Sequence, residues 1–135
     1  MKKLFCLLAI VVLTLSLSAC SGGIDGDTAR EHVNDFFGAV KEDDYEKAET
    51  FLHPERSKDI GEFFEKIEQE EEIDFSNIES IKYTGFTSSF YDSSIDGSAY
   101  TLNAVLTVGS KQVEAEVEIV QNDKGFGIYN LDIDT

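Results

Sequence analysis

The hydrophobic pattern of the chain changes its period once, near residue 73, and this change constrains the fold more than any other feature. Before it, apolar residues recur every three to four positions, which is the period of an amphipathic helix. After it, they recur at every second position, which is the period of a strand with one buried face. The chain is therefore predicted to place its helices first and its strands second.

Three helices are predicted in the first half. The first begins at Thr28, because Thr28 and Glu31 match a capping box. The second begins at residue 43 or 44 and ends before Pro54, since a residue preceding proline is disfavoured in the helical conformation. The third covers residues 55–70. Their apolar faces are Ala29, Val33, Phe36, Phe37 and Val40, then Tyr45, Ala48, Phe51 and Leu52, then Ile60, Phe63, Phe64 and Ile67.

Four strands are predicted in the second half, over residues 78–86, 98–108, 111–121 and 126–133. Gly109-Ser110 and residues 122–125 have the composition of hairpin turns. In the last strand the apolar phase shifts between Ile128 and Leu131, which predicts a β-bulge near Asn130. Helices followed by an antiparallel meander predict an α+β domain, with three N-terminal helices packed on one face of a four-stranded, antiparallel, curved sheet.

The first twenty residues, MKKLFCLLAIVVLTLSLSAC, have the features of a bacterial lipoprotein signal. Two lysines precede an uncharged run of 14 residues, Leu4–Leu17, which matches a secretory h-region of about 7–15 residues better than a spanning helix of about 20. Leu17-Ser-Ala-Cys20 resembles a lipobox, and this resemblance implies cleavage before Cys20 and a diacylglyceryl group on its thiol. Ordinary secretion with cleavage after Ala19 and an uncleaved signal anchor are the alternatives.

This interpretation divides the chain into a signal peptide (1–19), a lipidated Cys20 with a Gly-rich tether (20–27), and one domain (28–135). Two acyl chains anchor a protein stably, whereas one does so only marginally. The predicted location is the bacterial cell envelope on the extracytoplasmic side, at the cell membrane, or at the outer membrane if one is present. The domain itself contains no Cys, so a disulfide, a thiolate zinc site and a Cys nucleophile are excluded there.

The charge of the chain excludes several classes of partner. Removal of residues 1–19 takes away Lys2 and Lys3 and no acid, so nine Lys/Arg remain against 27 Asp/Glu, a net charge of −18. Nucleic-acid binding needs a basic footprint and is therefore not expected. Adhesion to an anionic lipid surface through the domain itself is not expected either.

Three segments resemble the nuclear transport factor two-like superfamily, whose members have a cystatin-like, cone-shaped α+β roll. These segments are AREHVNDFFGAVKEDDYEKAETFL (29–52), HPER (53–56) and VEAEVEIVQNDKGFGIYNLDID (113–134), in which Phe126 stands where the family usually has Trp. The resemblance implies the fold but carries no catalytic signature. The superfamily contains isomerases and dehydratases with an Asp or His inside the cone, and also binding modules without chemistry, so fold alone does not select a function.

Few residues are candidates for a catalytic or metal-binding role. His32 lies off the apolar stripe of the first helix, and His53 lies at the end of the second, where a histidine is favourable without any further role. Asp35 is predicted to be solvated. Because of the phase shift in the last strand, the sequence does not determine on which face of the sheet Asp132 lies. Asp92–Gly97 resembles the start of a calcium loop, but the twelfth position is Asn103, within a predicted strand, and a hairpin loop explains the segment as well. No catalytic, cofactor-binding or metal-binding residue is assigned.

Two surfaces remain as candidates for binding. The aromatic residues either fill the core or line an apolar pocket between helices and sheet, and periodicity does not distinguish these cases. Glu114, Glu116 and Glu118 form an acidic row on the open face of the sheet, where many members of the superfamily dimerise. Like charges would meet across a twofold axis, so a monomer is favoured.

The predicted function is a non-enzymatic, lipid-anchored domain that binds a protein or a small apolar ligand. The alternatives are an inhibitor or immunity-like acidic partner of a basic protein, and a small enzyme of the isomerase or dehydratase type. The enzyme would require a titratable group with a perturbed pKa facing a cavity.

Replacement of Cys20 by alanine should release the protein from membranes, because the thiol that receives the lipid is lost. Ultracentrifugation of cell lysates after a carbonate wash measures this directly. A Cys20→Ala protein that still sediments as an integral membrane protein would refute the lipobox interpretation.

Overall fold

The computed structural model describes residues 23–56 and 58–135. The predicted signal segment and Cys20 lie outside the described residues. The described residues form an α+β structure that contains helices and a four-stranded, antiparallel, curved sheet. The helices are α1 (Gly26–Lys41), α2 (Tyr45–Glu49) and α3 (Ile60–Glu71), and a short 3₁₀ helix covers Phe75–Asn77. The strands are β1 (Ile78–Asp92), β2 (Gly97–Val108), β3 (Lys111–Asn122) and β4 (Gly125–Asp134).

Helix α1 begins two residues before the predicted start. Asp25, and not Thr28, is the N-cap, because its carboxylate accepts a hydrogen bond from the backbone N–H of Thr28 at 3.2 Å. A carboxylate at this position also interacts favourably with the positive end of the helix dipole. Helix α1 buries the predicted apolar face, together with Ala39.

Helix α2 is shorter than predicted and ends at Glu49. The backbone beyond it is bonded to the sheet: Phe51 O accepts a hydrogen bond from Ile128 N, and His53 N donates to Ile128 O, both at 2.9 Å. These groups are therefore not free to continue a helix toward Pro54. A turn closed by Arg56 N and His53 O follows, and helix α3 consequently begins at Ile60 and not at residue 55.

The sheet is a meander in the order β1-β2-β3-β4. The alternation predicted for β2 and β3 is confirmed, with buried and more exposed residues succeeding each other along both strands. Strand β1 continues to Asp92 and does not end at Phe86, and its later residues pair with the beginning of β2. The predicted bulge in β4 is confirmed, because Glu118 pairs with Asn130 and Ile119 with Ile128, which leaves Tyr129 as the extra residue.

Phe64 lies at the centre of an aromatic cluster in the core. Its ring centroid is 4.9 Å from that of Phe75, 5.2 Å from Phe63 and 6.1 Å from Phe36. The rings of Phe36, Phe64 and Phe75 are completely buried. Edge-to-face contacts between such rings add to the free energy of burying them. The cluster belongs to one hydrophobic core that includes residues of α1, α3 and one face of the sheet.

Truncation of Phe64 should therefore destabilise the protein strongly. We expect Phe64→Ala, and likewise Phe36→Ala, to lower the free energy of unfolding by about 3–5 kcal/mol, because the surrounding rings leave a cavity that closes only in part. Phe90→Ala is the matched control, since Phe90 is 74% exposed, and it should change stability by less than about 0.5 kcal/mol. Urea unfolding measures both, and equal effects would contradict this description of the core.

Candidate functional site

The face of the sheet that does not contribute to the core carries a concentration of carboxylates. We call this surface, formed by Glu114, Glu116, Asp132 and Asp134, the acidic face. The strand period places Glu114 and Glu116 on the side of β3 opposite to buried Val113, Ala115 and Val117. The bulge at Tyr129 shifts β4 by one residue, so that Asp132 and Asp134 face the same side as these glutamates.

The register brings these carboxylates into directly opposed pairs. Glu116 pairs with Asp132, and Glu114 pairs with Asp134. Side chains in such positions have Cβ atoms about 4.5–5.5 Å apart, and like charges there are destabilising. On its other side Glu116 faces Asn103, while Glu114 faces Val105. The acidic face therefore contains two repulsive pairs that the fold does not need for its core.

Little positive charge offsets this repulsion. Lys82 of β1 lies on the same side of the sheet, in line with Val105 and Glu114 but two strands from the latter. Within residues 23–56 and 58–135 the ion pairs are Arg30–Asp27 and Lys47–Glu42, and neither includes a residue of the acidic face. The adjacent Glu118 differs in having a partner, because its Oε1 accepts a hydrogen bond of 2.7 Å from Asn130 Nδ2.

The acidic face surrounds a partly open depression of about 380 Å³. Thr84 and Asn103 line it beside the four carboxylates. Its polar and open character does not suit a small apolar ligand, which needs an enclosed and largely apolar site. In the part of the chain that the structure describes, no group of three or more His, Cys, Asp or Glu could hold a metal ion.

The space between helices and sheet contains aromatic side chains. Phe36, Phe37, Phe64 and Phe75 are each at most 1% exposed and lie in ring-to-ring contact. The sequence left open whether such rings fill the core or line a pocket. The structure buries all four in the core, and Phe37 also borders a depression of about 280 Å³ between α1 and the start of β1. Five depressions of the described residues have volumes of about 250–500 Å³, and none of the five is an enclosed cavity.

Both histidines make contacts that join the helical half to the sheet. His32 Nε2 donates a hydrogen bond to Phe51 O at 2.8 Å, and its ring lies edge-on to Phe51 and Phe126. His53 is completely buried, and its Nδ1 accepts from the backbone N–H of Glu55 at 3.1 Å. The proton of this ring is therefore on Nε2.

Asn122 is the partner of that proton. Its Oδ1 lies 3.0 Å from His53 Nε2, and its Nδ2 donates to Ile95 O at 2.9 Å and to Glu55 Oε1 at 3.1 Å. Asn122 therefore joins the HPER segment to the β1–β2 loop. The sequence predicted only a turn residue at this position. No local pattern indicates a hydrogen bond between residues that are 69 positions apart.

Arg56 completes the contacts of the HPER segment. Its Nη1 donates to the carbonyl of Tyr129 at 3.0 Å, which gives a partner to the extra residue of the bulge. Burial lowers the pKa of the Arg56 guanidinium, while the Asp59 carboxylate acts in the opposite direction. Arg56 was not predictable as a contact residue, since it belongs to no periodic pattern.

The remaining candidates are surface residues or turn residues. Asp35 is exposed on α1, and Asp132 is exposed on the acidic face. Asp92 Oδ1 accepts hydrogen bonds from Ser94 N at 2.9 Å and Ser94 Oγ at 2.7 Å, which lower the pKa of this carboxyl. Asp96 Oδ1 accepts from Tyr91 at 2.7 Å. Asp92–Gly97 therefore forms the loop of a β-hairpin, as its Ser, Asp and Gly content indicated.

Comparison of the chain with protein-family models, with curated proteins and with solved structures gave no match. The interpretation of the site therefore depends on its own geometry and charge. Within the described residues, no helix has both the length and the hydrophobicity needed to cross a bilayer.

Neutralising one member of an opposed pair should stabilise the fold. In a double-mutant cycle at low ionic strength, Glu116→Gln and Asp132→Asn should each raise the free energy of unfolding, and their coupling should show a repulsion of about 0.2–1 kcal/mol. The coupling should vanish in 1 M NaCl, where the screening length is about 3 Å.

The control cycle pairs Glu116→Gln with Glu70→Gln on α3, because Glu70 is exposed on another element. Distant sites add within about 0.5 kcal/mol. An attractive or salt-independent coupling between Glu116 and Asp132 would contradict the described register.

Proposed function

We propose that this protein is a lipid-anchored, extracytoplasmic binding module of the bacterial cell envelope, and that its acidic face binds a basic surface of another protein. The observation that carries the proposal is that two pairs of carboxylates oppose each other on an open sheet face, Glu116 with Asp132 and Glu114 with Asp134. A partner with Lys or Arg side chains would relieve this repulsion on binding, and complementary potentials accelerate and orient association.

The anchor is the second part of the proposal. The lipobox-like segment supplies Cys20 for a diacylglyceryl group, and two acyl chains contribute about 0.8 kcal/mol per buried CH₂. The domain is proposed to be a roll of the nuclear transport factor two-like type, with its three helices on the core side of the sheet. That arrangement leaves the acidic face free for a partner.

A protein partner is favoured over a small apolar ligand because the four core phenylalanines occupy the interior. A binding role is favoured over an isomerase or dehydratase because His32 and His53 both use a ring nitrogen in contacts that hold elements together. The repulsion on the acidic face also disfavours self-association through it, so a monomer is proposed. An inhibitor or immunity-like role would use the same acidic face against a basic enzyme.

Binding of a basic protein should depend on the acidic face and on salt. With the mature chain immobilised in nonionic detergent, cytochrome c serves as a small basic probe. We expect Glu114→Gln/Glu116→Gln to weaken its binding about tenfold at low salt, which corresponds to about 1.4 kcal/mol. Binding should fall as NaCl is raised, because exposed charges are screened.

The matched control is Glu62→Gln/Glu70→Gln, which removes the same charge from exposed positions of α3. It should leave the dissociation constant within about twofold of the unmodified protein, since rim charges contribute little. Equal weakening by both double variants would show that net charge, and not the acidic face, attracts the probe, and would refute the proposed site.

A further inference from the structure

Three large apolar side chains of the described residues are exposed, and all three belong to β1. Phe86 is 63% exposed, Phe90 74% and Tyr91 63%. We call these three residues the aromatic patch. They lie within six consecutive positions of this strand, and exposed apolar surface concentrated in one segment marks an interaction site more often than scattered exposed residues do.

The aromatic patch is held in place by the hairpin that carries it. Phe86 stacks on Tyr100 of β2, with ring centroids 5.4 Å apart and planes 4° from parallel. The carbonyl of Phe90 accepts a hydrogen bond from Ser98 Oγ at 2.8 Å, and the Tyr91 hydroxyl donates to Asp96. The rings are therefore presented to solvent by a paired hairpin, which lowers the entropic cost of binding.

The N-terminal end of the described chain lies beside this patch. A Cβ atom added to Gly23 would lie 3.5 Å from Cε2 of Phe90, and one added to Gly26 would meet the Tyr100 hydroxyl. Cys20 precedes Gly23 by three residues, which span at most about 11 Å. A lipid on Cys20 would therefore place the bilayer surface within reach of Phe90.

The chemistry of the hairpin fits a lipid interface. Residues 85–98 contain two aspartates and no Lys or Arg, so attraction to anionic headgroups does not contribute. Tyrosine is enriched at membrane interfaces, where its apolar ring and polar hydroxyl are both accommodated, and this fits Tyr91. Phe86 and Phe90 would supply apolar surface that the headgroup and acyl boundary can bury. Contact would therefore depend on burial of apolar surface in the headgroup region.

We infer that the aromatic patch inserts into the headgroup region of the bilayer that holds the lipid anchor. This inference rests on the proposed anchoring at Cys20. It gives the domain two attachment points, the lipid and the hairpin, and thereby restricts its tumbling above the membrane.

The chain contains no tryptophan, so Phe90→Trp introduces a single fluorescent reporter at an exposed position. The full lipidated protein is reconstituted into phosphatidylcholine vesicles with and without lipids brominated near the headgroup end of the acyl chain. Because interfacial apolar groups lie about 5–10 Å into the headgroup and acyl boundary, the brominated lipid should quench the emission about twofold. Tyr91→Trp is the second reporter, and Gln69→Trp, exposed on α3, is the unquenched control.

The outcomes separate this inference from the proposed function. Protein that sediments with the vesicles while both hairpin reporters remain unquenched overturns the inference and leaves the anchor intact. Protein that does not associate with vesicles overturns the anchor and the inference together. A blue shift that rises with protein concentration in the lipid-free Cys20→Ala/Phe90→Trp variant would assign the patch to a second copy of the chain, and would also overturn the inference.

Discussion

The hydrogen bonds between Ile128 and the segment 51–53 are the interaction on which the rest of the structure depends. Through them Phe51 O and His53 N leave the helical path and become part of the sheet edge at β4. They end α2 and direct the HPER segment toward the hairpin formed by β3 and β4. They also bring the buried His53 ring to Asn122 and Arg56 Nη1 to the bulge carbonyl, while the buried Nε of Arg56 has no hydrogen-bond partner among the described residues. Loss of the Asn122 partner would leave a buried polar group of His53 unpaired, which costs about 1–3 kcal/mol.

The bulge at Tyr129 connects this core arrangement to the outer surface. Without the extra residue, the alternation of β4 would continue in phase from Ile128, and Asp132 would turn toward the core. With it, Leu131 contributes to the core while Asp132 and Asp134 lie opposite Glu116 and Glu114. One inserted residue therefore permits the apolar packing and assembles the acidic face.

The sequence predicted what short-range periodicity determines. The strands of the meander, the bulge and the apolar faces of α1 and α3 follow from residues a few positions apart. The early end of α2 and the role of Asn122 were not predictable, because they depend on partners about 70 residues away. Strand β1 was predicted too short, since the alternation used to recognise strands reports burial, and its last residues are exposed around Phe90.

The same distinction applies to the proposed sites. The glutamates of β3 were evident from alternation, but their pairing with Asp132 required the register of β4. Nothing in the sequence indicated the aromatic patch, because the sequence alone does not distinguish an exposed phenylalanine from a buried one. Opposed carboxylates lower stability and exposed rings contribute little to it, and local features that do not serve the core are expected at functional surfaces. Their presence in a domain without cysteine is the basis for proposing two separate contacts, one with a basic protein and one with the membrane.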